Sequence, residues 1–169
     1  MPYEADRCLI ARAENACWRC GAFGAVVCLV LPHDLKTISD SEDDDLPVPF
    51  DGAAVMQYVE QIEAPLLAAI NLPTFKPGTR RTAAATYYAN HCEHCDALLG
   101  DHYLHHPDGP FWPMSEEDTS IELTLLEQPV SVRAGSCSTV TFTLGQYELA
   151  FDGPPPTPKV KRRAPRKKA

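Results

Sequence analysis

Two short cysteine pairs, Cys17-Trp18-Arg19-Cys20 and Cys92-Glu93-His94-Cys95, constrain this chain more than any other feature. A two-residue spacer lets two thiolates converge on one side of a tetrahedral ion while nearby backbone N–H groups turn toward the sulfurs. Two such pairs make one closed site, so Cys17, Cys20, Cys92 and Cys95 are the expected ligands of a single structural Zn²⁺. The residue after the second cysteine of each pair should take positive φ. Gly21 suits that position, and Asp96 tolerates it better than most residues. Four thiolates leave the ion with excess negative charge, part of which Arg19 would offset. A mixed site drawing on His91 or His94 is the alternative ligand set, and four ordinary thiols the plainer reading.

The chain has seven cysteines. An odd number with four in metal-type spacing argues for a reducing compartment and against a disulfide framework. The first residues do not form a charged-then-apolar leader, and no apolar run reaches the ~18 residues that span a bilayer. The expected location is the cytoplasm. Cys8 and Cys28 fall on predicted strands and read as small core residues, and Cys137 is a weaker fifth metal-site candidate.

With 169 residues, 44% of them hydrophobic, the chain is expected to form one domain, residues 1–152, followed by a Pro-rich, basic and disordered tail, residues 153–169. The net charge of −8 conceals an asymmetry. Seven of the 15 Lys and Arg lie in residues 159–169, which leaves eight bases against 23 acids, a charge of −15, on the rest. Nucleic acid would repel such a body and attract such a tail.

Local patterns give a β-rich (α+β) expectation. Residues 8–12 and Ala25–Leu31 read as strands on either side of the first pair, and Thr86–Asn90 as the strand entering the second. Between them lies an insertion, residues 37–80. It holds an acidic loop around Asp43–Asp45 and a helix from about Gly52 with Val55, Tyr58, Val59 and Ile62 on one face, and Pro65 either ends that helix or opens a second one over 65–70. Leu98–Leu104 should leave the second pair as a strand. Alternation over 121–125, 130–132, 140–144 and 147–151 predicts further antiparallel hairpins, one turning at Gly145-Gln146. Phe111 and Trp112 are expected to pack over the core.

Cys17-Trp-Arg-Cys-Gly21, taken with Tyr88-x-Asn90-His-Cys-x-x-Cys95, resembles the zinc-ribbon modules of uncharacterised bacterial proteins over residues 8–31 and 86–113. The resemblance implies a rubredoxin-like two-knuckle zinc site. Zinc ribbons serve both protein docking and nucleic-acid machinery, so it selects no function. His102, His105 and His106 cluster with Asp101 and Asp108. Asp101-His102 after a Cys-x-x-Cys is similar to the Asp-His pair of zinc-supported HNH nucleases and implies a catalytic metal at His102. The downstream Asn-Leu of that family is missing. Gly-rich phosphate loops, nucleophile elbows and His-Glu-x-x-His are absent. The favoured expectation is therefore a non-enzymatic binding or adaptor protein, with no catalytic residues, that contacts a protein or nucleic-acid partner. The alternatives are nucleic-acid binding through the tail or through a basic surface at Arg80 and Arg81, and an HNH-like nuclease.

Overall fold

The computed structural model describes residues 1–37, 52–80, 85–107, 109–112, 120–139, 147 and 150–151. The acidic loop at 39–45, Arg81, Asp108, the expected strand at 140–144 with its turn, and the tail from 153 lie outside them.

Two long strands start the core. β1 (Pro2–Ala5) precedes β2 (Cys8–Ala16), which turns through the first cysteine pair into β3 (Phe23–Leu31) with unbroken antiparallel pairing from Leu9↔Val30 to Ala16↔Phe23. Their side chains sort with period two. Leu9, Ala11, Val26, Cys28 and Val30 enter one apolar cluster, and Cys8, Ile10, Val27, Leu29 and Leu31 enter another on the opposite face. Both faces being covered explains why residues 25–31 read as an unbroken apolar run. Cys8 and Cys28 are buried core residues, as expected.

After β4 (Lys36–Thr37) comes β5 (Ala54–Ile62), where a helix is expected from the sequence. This strand lies between β10 (Val130–Thr139) and β3 in the sheet order β4-β1-β10-β5-β3-β2-β9, with β9 spanning Glu122–Leu126. The false helical signal has a structural cause. Ala54 and Met56 face the second cluster, but so do Val59 and Ile62. The alternation breaks at Tyr58, which adopts φ 54°, and again where the pairing with β10 shifts between Arg133 and Ala134. Two interruptions in one strand turn a spacing of two into three and imitate a helix face. Gly135 lies against Tyr58, where an added Cβ would stand 3.2 Å from the Tyr58 Cβ.

Of the two roles open to Pro65, it takes the second: α1 (Ala64–Ile70) has the proline in its first turn, Leu66 and Ile70 buried, and Asn71 closing it at φ 44°. β6 (Phe75–Arg80) then pairs with β7 (Ala85–His91). β7 joins β5 through Val59↔Tyr88 and carries the chain into the second cysteine pair. The expected strand over 98–104 shortens to β8 (Leu98–Leu99), and residues Asp101–Leu104 turn into the short helix α2. Gly100 precedes that helix as its cap residue. Leu104, the last residue of α2, and Phe111 are buried in the first cluster. The alternation at 147–151 is also misleading: Tyr147, Ala150 and Phe151 are helical, buried, and spaced three and four apart on the first cluster.

Candidate metal centre

The two cysteine pairs fold into the same local shape. In the first, the Cys17 N–H donates to the Ala22 carbonyl at 2.8 Å and the Gly21 N–H donates back to the Cys17 carbonyl at 2.8 Å. In the second, the Cys92 N–H donates to the Ala97 carbonyl and the Asp96 N–H to the Cys92 carbonyl, both at 2.9 Å. Gly21 and Asp96 take φ 74° and 55°, as the sequence leads one to expect. Asp96 is held on the surface by a 2.7 Å hydrogen bond from Lys76, which also keeps its carboxyl below the usual range.

These two knuckles face each other. The ligand atoms of Cys17, Cys20, Cys92 and Cys95 all lie within 4.8 Å of one another, the only such group of three or more His, Cys, Asp or Glu among the described residues. Cys17 Sγ is 3.7 Å from Cys95 Sγ, and Cys20 Sγ is 3.6 Å from Cys92 Sγ. Four sulfurs at about 2.3 Å from a tetrahedral zinc stand about 3.8 Å apart, so the spacing fits an ion of that size. All four cysteines are free of disulfide. The sulfur cluster also has the electrostatics of a cation site. Backbone N–H groups, first that of Cys20 and then that of Arg19, help draw the Cys17 thiol down to about 6. Cys95 rises to about 12: the Ala97 N–H favours its thiolate, but burial and the three neighbouring sulfurs outweigh it. Without a cation, the four sulfurs cannot all carry charge together.

Two groups to which the sequence assigned no role hold the second knuckle in place. The buried Asn90 accepts the Val27 N–H at 2.8 Å and donates to the Val27 carbonyl at 2.9 Å, so its amide supplies β3 with the ladder partner that β5 does not reach. The signal was an Asn within a strand, where its propensity is poor. Trp18 is exposed, yet its indole N–H donates to the Leu98 carbonyl at 3.0 Å and ties the first knuckle to β8.

The remaining candidates lie elsewhere. Cys28 is buried and Cys137 is half-buried with its S–H directed at the Tyr3 hydroxyl. His91 is buried with Nδ1 near the Ala89 and Thr74 carbonyls, and His94 is exposed; neither belongs to the sulfur cluster. Asp101 and His102 diverge: the carboxylate is buried and accepts the Tyr58 N–H at 2.7 Å, while the imidazole is exposed. His105 is buried and stacked on Phe111, and burial drops it to about 4. The ring of exposed His106 lies 5.8 Å from that of His102. No described helix is long and apolar enough to cross a membrane. Comparison with protein-family models, with curated proteins and with solved structures found no match.

Proposed function

We propose that the four thiolates hold one structural Zn²⁺ in a zinc-ribbon-like arrangement, and that the protein is a non-enzymatic binding or adaptor module whose contact surface the metal keeps in shape. The observation that carries this reading is the convergence of the four sulfurs within 4.8 Å of one another. Zinc with four thiolate ligands has no open position at which to activate water, so the ion braces the fold rather than reacting. Trp18 and Phe23 are largely exposed on and beside the first knuckle, and they supply apolar surface for a protein partner.

Elemental analysis of the purified protein tests the reading: about one zinc per chain is expected, and a folded, metal-free protein overturns it. A second reading, nucleic-acid binding through the tail, is supported by the seven Lys and Arg within residues 159–169. Removing residues 155–169 should then abolish DNA or RNA binding at low salt while zinc content stays unchanged. Unaltered binding by the truncated chain would dismiss the tail as the contact.

A further inference from the structure

We propose that the sulfur cluster is a peroxide-sensitive clasp, in which oxidation exchanges the metal for two disulfides between the knuckles, Cys17–Cys95 and Cys20–Cys92. The proposal rests on the reading of the cluster as a zinc site. It follows from how access is divided among the sulfurs. In each knuckle the first cysteine is buried, Cys17 at 4% and Cys92 at 5% exposure. In each knuckle the second cysteine is the accessible one: Cys20 is exposed and Cys95 is half-buried. Each accessible sulfur touches the buried sulfur of the opposite knuckle, at 3.6 Å for Cys20–Cys92 and 3.7 Å for Cys95–Cys17. All four sulfurs lie within 4.8 Å of one another, and each of these two cross-knuckle contacts joins one sulfur that an oxidant can reach to one that can resolve the product.

Hydrogen peroxide supplies the oxidising equivalents. The Cys20 thiolate attacks one peroxide oxygen, the O–O bond breaks, and the departing hydroxide takes a proton to become water, leaving a sulfenic acid on Cys20. The Cys92 thiolate then attacks the Cys20 sulfur, the S–O bond breaks, and a second hydroxide leaves and is protonated. Each peroxide is reduced by two electrons and each pair of thiolates is oxidised by two. A second peroxide converts Cys95 and Cys17 in the same way. The four thiolates become two neutral disulfides, and the zinc, deprived of its anionic ligands, is released.

The pairing decides what oxidation does to the fold. Disulfides inside each knuckle would leave the two knuckles unlinked once the metal had gone. Disulfides between them join positions 78 and 72 residues apart in sequence and hold the β2–β3 turn against the β7–β8 turn. Oxidation would therefore remove the ion without opening the structure. Cys8 and Cys28, buried in the sheet, should be spared.

The test treats the full-length, reduced protein with hydrogen peroxide while a chromogenic chelator reports zinc. Circular dichroism reports the fold, and non-reducing peptide mapping identifies the bonds. Release of about one zinc per chain, the two cross-knuckle linkages and an unchanged β-sheet spectrum are expected. Dithiothreitol with added zinc should then restore the starting form. Within-knuckle linkages, zinc retained on unreacted thiols, or unfolding upon release would overturn the proposal. Zinc measured before the peroxide is added separates the two ideas. A protein without zinc at that stage defeats the metal reading, whereas the mapped linkages still decide the pairing.

Discussion

Replacing Asp101 by Asn should stabilise the protein above neutral pH and leave it nearly unaffected at about pH 4. Asp101 opens α2, is 6% exposed, and accepts the N–H of Tyr58 at 2.7 Å. Burial raises its carboxyl from an ordinary 3.8 to about 7, although the Tyr58 hydrogen bond pulls the other way. Cys28 on β3 gives no compensating charge, since burial, and then Asp101 itself, raise it well above the usual thiol range. A carboxyl whose folded value exceeds its unfolded value gives stability that is complete below the unfolded pKa and is lost as pH rises through the folded one. Here that window runs from about pH 4 to about pH 7. At about 1.36 kcal/mol per pH unit the wild-type protein loses at most about 4 kcal/mol across it. Asn keeps an oxygen for the Tyr58 N–H and never ionises. After allowing about 1 kcal/mol for the weaker neutral acceptor, Asp101→Asn should gain about 2–3 kcal/mol at pH 8. Urea unfolding of both proteins at about pH 4 and about pH 8 measures the difference, in which the titration of every other group cancels. Asp101→Ala is the control, and should lose about 1–3 kcal/mol at the acidic pH, because the Tyr58 N–H is left without that partner. If Asp101→Asn proves less stable than wild type by the same amount at both pH values, the carboxylate is charged in the fold and the reasoning is wrong.

Further expectations concern the cysteines, the amide that anchors β7, and the histidines. Cys17→Ser or Cys92→Ser should lose zinc by elemental analysis and be severely destabilised, since metal binding contributes directly to folding. Cys28→Ala should keep its zinc and lose only about 1–3 kcal/mol in denaturant unfolding, the cost of a small core truncation. Asn90→Ala leaves the Val27 N–H and carbonyl without the Asn90 amide in the interior, and should lower stability by about 2–4 kcal/mol in the same assay. The double variant His102→Ala with His105→Ala should show no change in nuclease activity assayed with Mg²⁺ or Mn²⁺, and a parent activity lost in the variant would favour the catalytic alternative.

The parts of the fold that were legible in the sequence are those where one residue type answers one local demand. Gly21 and Asp96 mark positive φ, Pro65 opens α1, and the apolar run from Ala25 to Leu31 is a strand covered on both faces from Val26 onward. The four cysteines follow from their spacing alone. The failures share a cause: a periodicity was present, but it was produced by something other than the element it suggests. In β5 the interruptions at Tyr58 and opposite Arg133/Ala134 gave a spacing of three. At Tyr147–Phe151 the strand-like alternation coexisted with a helical spacing, and only the packing against the first cluster chose between them. Asp101 drew attention as a catalytic carboxylate because its sequence neighbour is His102, whereas its partner in space is a backbone N–H on a distant strand. Asn90 was overlooked for the same reason, since the group it completes belongs to Val27.

Each knuckle closes its own turn with its own hydrogen bonds, while the strands that bring the two turns together are joined through the body of the sheet. If the cluster holds zinc as proposed, the residence time of the metal is a property of the whole molecule rather than of four sulfurs. Loosening β7 from β3 by altering Asn90, well inside the core, should quicken the exchange of bound zinc for a radioactive isotope even though every ligand is intact. A zinc bound there would report on local opening of the sheet, and its off-rate would time openings that no coordinating residue takes part in.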